Sequence, residues 1–263
     1  MKLAISNIAW DEAIDSFFYT YLQKIGFDSI EIAPTRLFGN APYSELSQAR
    51  TFKQRLWEEN QLTVCSLQSI LFGRTESIFD NPDDRKAISN YCKEAILFAS
   101  AISCPNLVFG SPKNRIIKDG QYSLAQSFFK ELGDFAHVHN TNLALEPNPT
   151  IYGTNFINTT REAIDFVGEL NCPGLKINFD LGAFIHNKED ISVLEDAVHL
   201  INHVHISEPY LEMIVERPVH KKLLKFLSAK GYENFISIEM KRAENVSDIQ
   251  KVCEYIKNCR DGI

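Results

Sequence analysis

Eight times along the chain, a short β-rich apolar run ends in polar residues and an amphipathic stretch follows. This alternation constrains the fold more than any other feature. The β-rich runs are Lys2–Ala9, Ser29–Ala33, Leu62–Gln68, Asn106–Gly110, Asn142–Glu146, Gly174–Asp180, Ile201–Ser207 and Asn234–Met240. The stretches between them predict helices near 11–25, 43–60, 83–103, 121–139, 158–170, 189–199, 217–230 and 246–259. Strands that alternate with helices pair in parallel, because each crossover returns the chain to the same end of the sheet. An open doubly wound sheet and a closed barrel both satisfy that pattern. The units are of similar length from end to end, and no GxGxxG fingerprint follows the first strand, where an open dinucleotide-binding sheet would carry one. The expected fold is therefore α/β, a single (β/α)₈ barrel in one domain over residues 1–263.

Local signals agree with the helix assignments. Apolar residues recur at helical spacing between Tyr91 and Ala101. Asn158-Thr-Thr-Arg-Glu162 offers cap residues before a helix-forming run, and Asn245-Val-Ser-Asp248 opens the last helix in the same way. Gly26, Gly133 and Gly231 stand where helices are expected to stop. Composition excludes several classes. A formal charge of −7 disfavours nucleic acid as a partner. No run of about 18 apolar residues occurs, so no membrane span is expected. The six cysteines are scattered through apolar segments without a CxxC pair, which reads as reduced structural thiols in a cytoplasmic protein.

A barrel of this type builds its active site at the C-terminal ends of its strands. The last four strands end in Leu145-Glu146, Phe179-Asp180, Val204-His205 and Ile238-Glu239. One ionisable group at the end of an apolar run reads as readily as a structural charge. Four in succession are different. Three carboxylates converging in one barrel mouth repel, and burial would drive protons onto them unless a cation is present. Three carboxylates and one imidazole suit a single divalent ion, Mn²⁺ or Mg²⁺ first, with Co²⁺ or Zn²⁺ as alternatives. The absence of thiolates disfavours a structural zinc site.

Other strand-end residues are candidate substrate contacts. Gln68 could hydrogen-bond a hydroxyl, and Leu71 and Phe72 beyond it could form a lid. Lys113 and Arg115, after the fourth strand, could hold an anionic group, or equally be a solvated turn. Pro147 and Pro149 fix the backbone around Asn148, which favours a substrate-facing amide. Glu208 follows His205 closely and could contact substrate or support a ligand. His203 faces the same side of its strand as His205 but deeper, which reads as a hydrogen-bonded core histidine. Trp10 walls the pocket or packs in the core, and His137, His139, His199 and His220 fall on expected helices.

Leu143-Ala-Leu-Glu146-Pro, Asn178-Phe-Asp180, His203-Val-His205-Ile-Ser-Glu208 and Ser237-Ile-Glu239-Met-Lys241, in that order and spacing, resemble the xylose isomerase-like barrel superfamily along the whole chain. That superfamily includes ketose 3-epimerases, hydroxypyruvate isomerase, inosose dehydratase and endonuclease IV. The resemblance implies that Glu146, Asp180, His205 and Glu239 bind the metal, and that Glu146 and Glu239 form an acid/base pair on opposite substrate faces. Glu31 matches a carboxylate that ends the second strand in many members, and is expected to contact substrate. The implied activity is isomerisation or epimerisation of a sugar or sugar derivative, neutral or anionic, by proton transfer beside a carbonyl through an enediolate. A dehydratase of the inosose type and a non-catalytic sugar-binding barrel are the alternatives, and a homodimer is compatible with the family. Two positions depart from the family pattern. Ala183 stands where many members carry a histidine, and Tyr152 where ketose epimerases place a substrate-contacting glutamate.

Overall fold

A computed structural model describes residues 1–263. The strands are β1 (Lys2–Ser6), β2 (Ser29–Ile32), β3 (Thr63–Leu67), β4 (Asn106–Phe109), β5 (Asn142–Leu145), β6 (Leu175–Asp180), β7 (Ile201–Ile206) and β8 (Phe235–Ile238). All pair in parallel, each with its sequence neighbour, and β8 closes onto β1 through pairs such as Ala4 with Ser237. The helices are α1 (Asp15–Ile25), α2 (Pro34–Phe38), α3 (Leu46–Asn60), α4 (Pro82–Ala101), α5 (Tyr122–Val138), α6 (Thr160–Leu170), α7 (Leu181–His186), α8 (Pro218–Ala229) and α9 (Val246–Asp261). None is long and apolar enough to cross a membrane. The expected (β/α)₈ barrel is the fold observed.

Local chemistry explains the element ends. At α6, Thr159 Oγ1 accepts the Glu162 N–H at 3.2 Å, and Glu162 Oε2 accepts the Asn158 N–H at 2.6 Å. The first bond satisfies a donor that the first helical turn leaves free, and the second ties the residue before the cap back to that turn. Gly26 ends α1 with φ 80°, a conformation that a side chain would resist.

Two expectations need correction. Residues 189–199 do not form an α-helix. Two 3₁₀ turns, Ile191–Leu194 and Val198–Leu200, stand there, and the helix after β6 is α7, directly behind the strand. The reason is Asp180, which ends β6 and also caps α7, its Oδ1 accepting the Ala183 N–H at 2.5 Å. Gly133 is no helix stop either, since it lies inside α5. A Cβ there would meet Cys172 Sγ at 2.6 Å, and a Cβ on Gly174 would meet the Gly133 carbonyl oxygen at 2.2 Å. The two glycines let α5 lie directly against the approach to β6.

The register shifts between Ile30 and Glu31 in the β2–β3 pairing, and between Ile177 and Asn178 in the β6–β7 pairing. Such irregularities re-aim side chains at strand ends. Glu31, Ser66, Gln68, Asn178, His203, His205 and Ser237 are buried polar residues of the strands and their ends, where barrels of this class usually stack branched apolar residues. The apolar core lies instead between strands and helices, around residues such as Phe109, Phe129 and Phe166.

Gly174→Ala tests the α5 contact. The overpacked methyl should destabilise the fold by about 1–3 kcal/mol. Each kcal/mol should lower the thermal midpoint by about 2–4 °C, read by circular dichroism.

Candidate metal centre

His205 Nδ1 lies 3.0 Å from Glu146 Oε1, 3.2 Å from Glu239 Oε2 and 4.0 Å from Asp180 Oδ2. One ligand atom from each of the four residues falls within 4.8 Å of every other. Strands β5 to β8 thus bring together the four strand-end groups singled out in the sequence. Ligands held about 2.1 Å from one ion stand roughly 3 Å apart, so two of the three separations from Nδ1 already fit a shared cation.

The electrostatics point the same way. Burial pushes the Asp180 carboxyl up to about 7, and the charges of Glu146 and Glu239 push in the same direction. Glu239 is raised, chiefly by burial. Burial opposes charge on His205, but the carboxylates of Glu239, Glu31 and Glu146 outweigh it and raise its pKa well above the usual imidazole value. Protons or a divalent cation would relieve the same repulsion. Three hard oxygen donors and one imidazole nitrogen form a donor set suited to Mn²⁺, Mg²⁺, Co²⁺ or Zn²⁺.

Two of the three carboxylates have further hydrogen-bond support, while Glu239 meets only His205. Asn178 Nδ2 donates to Glu146 Oε1 at 2.7 Å, and Asn148 Nδ2 donates to Glu146 Oε2 at 3.2 Å. Gly110 leaves room for this carboxylate, since a Cβ there would stand 2.3 Å from Oε2. Ser207 Oγ donates to Asp180 Oδ2 and accepts the Gly182 N–H. Gly182 is required by close approach, because a Cβ would meet the Glu208 carbonyl carbon at 2.8 Å. Ala183, in the first turn of α7, is buried beside this contact.

The candidate substrate residues divide. Glu31 is fully buried under His205, its Oε2 2.9 Å from Nε2, so it does not reach the mouth. Gln68 spends its amide on Ser6, at 2.9 Å, and on Ser69. Asn148 is buried and props Glu146, with its Oδ1 unpartnered. Lys113 is exposed while Arg115 is fully buried, so the two do not form one anion clamp. Arg115 Nη2 donates to the Glu146 carbonyl oxygen at 2.6 Å, and burial lowers its pKa to about 10. Glu208 is tied to Arg217 by two hydrogen bonds of 2.6 and 2.8 Å. Leu71 packs in the core and Phe72 is exposed, which leaves no two-residue lid. Trp10 stacks on Phe18 in the core. His220, on α8, pairs with the Tyr255 hydroxyl.

Sequence reasoning passed over Asn178, Ser207 and Arg217. Asn178 had a usable signal, two residues before Asp180 and so on the same strand face. Tyr152 also gains a place. Its hydroxyl accepts the Tyr210 N–H at 2.8 Å, and Leu211 O accepts the Lys241 N–H at 2.7 Å. Tyr210 and Leu211, with φ 63° and 54°, are consecutive left-handed residues in a strap from β7 that ties the loops after β5 and β8 together. Each costs roughly 1–3 kcal/mol of backbone strain.

Two measurements follow. A cation entering this set would compete with protons for Asp180 and His205, so any Mn²⁺ affinity should rise with pH through about 7, as titrations at pH 6 and pH 8 would show. Gly110→Ala should push Glu146 aside and, if the centre holds Mn²⁺, weaken that binding by about tenfold or more with the far-ultraviolet spectrum unchanged.

No curated protein sequence matches the chain. Among solved structures, it is similar to 3-keto-D-glucoside 4-epimerase from E. coli, with TM-score 0.79 and 19% identity over 98% of this chain and 100% of that one. D-psicose 3-epimerase from Clostridium cellulolyticum H10, solved with D-tagatose, gives TM-score 0.77 and 20% identity over 98% and 92%. The IolI protein with a bound zinc atom gives TM-score 0.75 and 16% identity over 100% and 99%. At these identities the likeness shows the fold. The family model for the xylose isomerase-like TIM barrel matches residues 19–259, and the chain belongs to that family.

Proposed function

We propose that this chain is a divalent-metal-dependent isomerase or epimerase of a sugar or sugar derivative, moving a proton at a carbon beside a carbonyl. The observation that carries this reading is the His205 nitrogen facing three carboxylates. Their side chains keep a little exposure, 12% for Glu146, 13% for Asp180 and 11% for Glu239, while His205 has none. The set therefore opens towards the barrel mouth, where a substrate arrives. The names of the structural neighbours support the reading, since they include sugar epimerases and a zinc-bound protein.

Glu146, Asp180, His205 and Glu239 would hold the ion. Bound there, it would polarise a carbonyl and an adjacent hydroxyl and acidify the neighbouring C–H. The protein's part is proton transfer. Glu146 and Glu239 come from β5 and β8, which are not neighbours in the sheet, so they approach the centre from different sides. One takes the proton from carbon, and the other returns one to the opposite face or to the adjacent oxygen. The two amide N–H groups on Glu146 fix its direction without neutralising it. The Tyr152–Tyr210 hydrogen bond holds the β5 and β7 loops together beside the centre.

The test is deuterium exchange by NMR in D₂O, with Mn²⁺-loaded protein and D-psicose, D-tagatose, D-fructose, a 3-keto-glucoside and inososes in turn. Exchange at the carbon beside a carbonyl, with rearranged product, is the expected outcome. Glu239→Gln should lower that exchange by about 10²–10⁴-fold. Loss of water instead of rearrangement would mark a dehydratase. Tight metal and sugar binding without exchange would mark a binding barrel.

A further inference from the structure

His205 also belongs to a second cluster of ionisable groups, buried with Glu31 and His203. Glu31 from β2 stands between two imidazoles of β7, its Oε2 2.9 Å from His205 Nε2 and 3.2 Å from His203 Nε2. A carboxylate with no route to water is costly unless it is paired. Here its pairing is the reverse side of a candidate metal ligand. An imidazole that gives Nδ1 to a cation keeps one ring hydrogen, on Nε2. Glu31 Oε2 is the one acceptor within hydrogen-bond distance of that nitrogen. The register shift between Ile30 and Glu31 falls where the side chain turns inward.

Building on the metal-centre reading above, we propose that Glu31 is a positioning residue. It accepts the Nε2–H of His205, fixes the ring's tautomer and plane, and so presents the Nδ1 lone pair to the metal. His203 Nε2 stands 3.2 Å from the same carboxylate oxygen but makes no hydrogen bond to it, so His205 is the one partner Glu31 has. A carboxylate behind a ligating histidine also makes the imidazole a stronger donor, and its removal typically weakens metal binding by about 10–100-fold. This assigns Glu31 to the metal and not to the substrate, which its complete burial would not let it reach. The same three residues could in principle hold an ion of their own. Stoichiometry separates the two cases.

The experiment titrates wild type and Glu31→Gln with Mn²⁺ by calorimetry, and loads ¹⁵N-histidine-labelled wild type with Zn²⁺ for NMR. The expected result is one ion per chain in wild type and about 10–100-fold weaker binding in Glu31→Gln. The NMR spectrum should show His205 with a hydrogen on Nε2 and a metal-shifted Nδ1. The spectrum needs no variant, so the proposal stays testable if Glu31→Gln fails to fold. Equal affinity in the two proteins, or a His205 without the Nε2 hydrogen, would overturn the positioning role alone. A second ion per chain that Glu31→Gln removes would overturn it in favour of a dinuclear site. Wild type that binds no ion would overturn this role together with the metal-centre reading.

Discussion

The mutual repulsion of Glu146, Asp180 and Glu239 governs this molecule. Three carboxylates around one imidazole nitrogen are unfavourable in a space with little water, and their neighbourhood is built to tolerate them. Two amides aim N–H groups at Glu146, a serine hydroxyl and a helix N-terminus receive Asp180, and two glycines clear the space. The barrel interior is polar as a result, and the apolar contacts that stabilise the fold are displaced to the layer between strands and helices. A cation in the centre would convert the least favourable region into a tightly held one. Binding energy gained by the native state alone adds to its stability.

Much of this was legible in the chain, because strands and helices have different periods. The eight β-rich runs are all strands, and the ionisable residue closing each of the last four reaches one common point. What stayed hidden depended on distances in space. Arg115 follows Lys113 in a loop rich in polar residues, and nothing local says that one is exposed and the other fully buried. Gly133 looked like a stop because glycine ends many helices, whereas its reason is the passage of residue 174 against it. The helix after β6 is hard to place from sequence because Asp180 serves both as a strand-end carboxylate and as the cap of α7.

The strap through Tyr210 and Leu211 shows how the mouth can be specialised without altering the centre. Its two left-handed residues are held by a phenol from one loop and a backbone amide from another. A side chain at position 152 that offered no hydroxyl would release the strap and alter the walls above the carboxylates. Loop chemistry of this kind is where barrels of one fold diverge in substrate.

Barrel closure carries a consequence for how the protein comes into being. Glu239 lies on the last strand, and that strand closes the ring against the first. Glu31 meets His205 across 174 residues of sequence. A chain still emerging from the ribosome holds most of its charged centre but lacks the final carboxylate and the seam. A cation at the acidic cluster would therefore meet its full set of ligands only when the circle is complete.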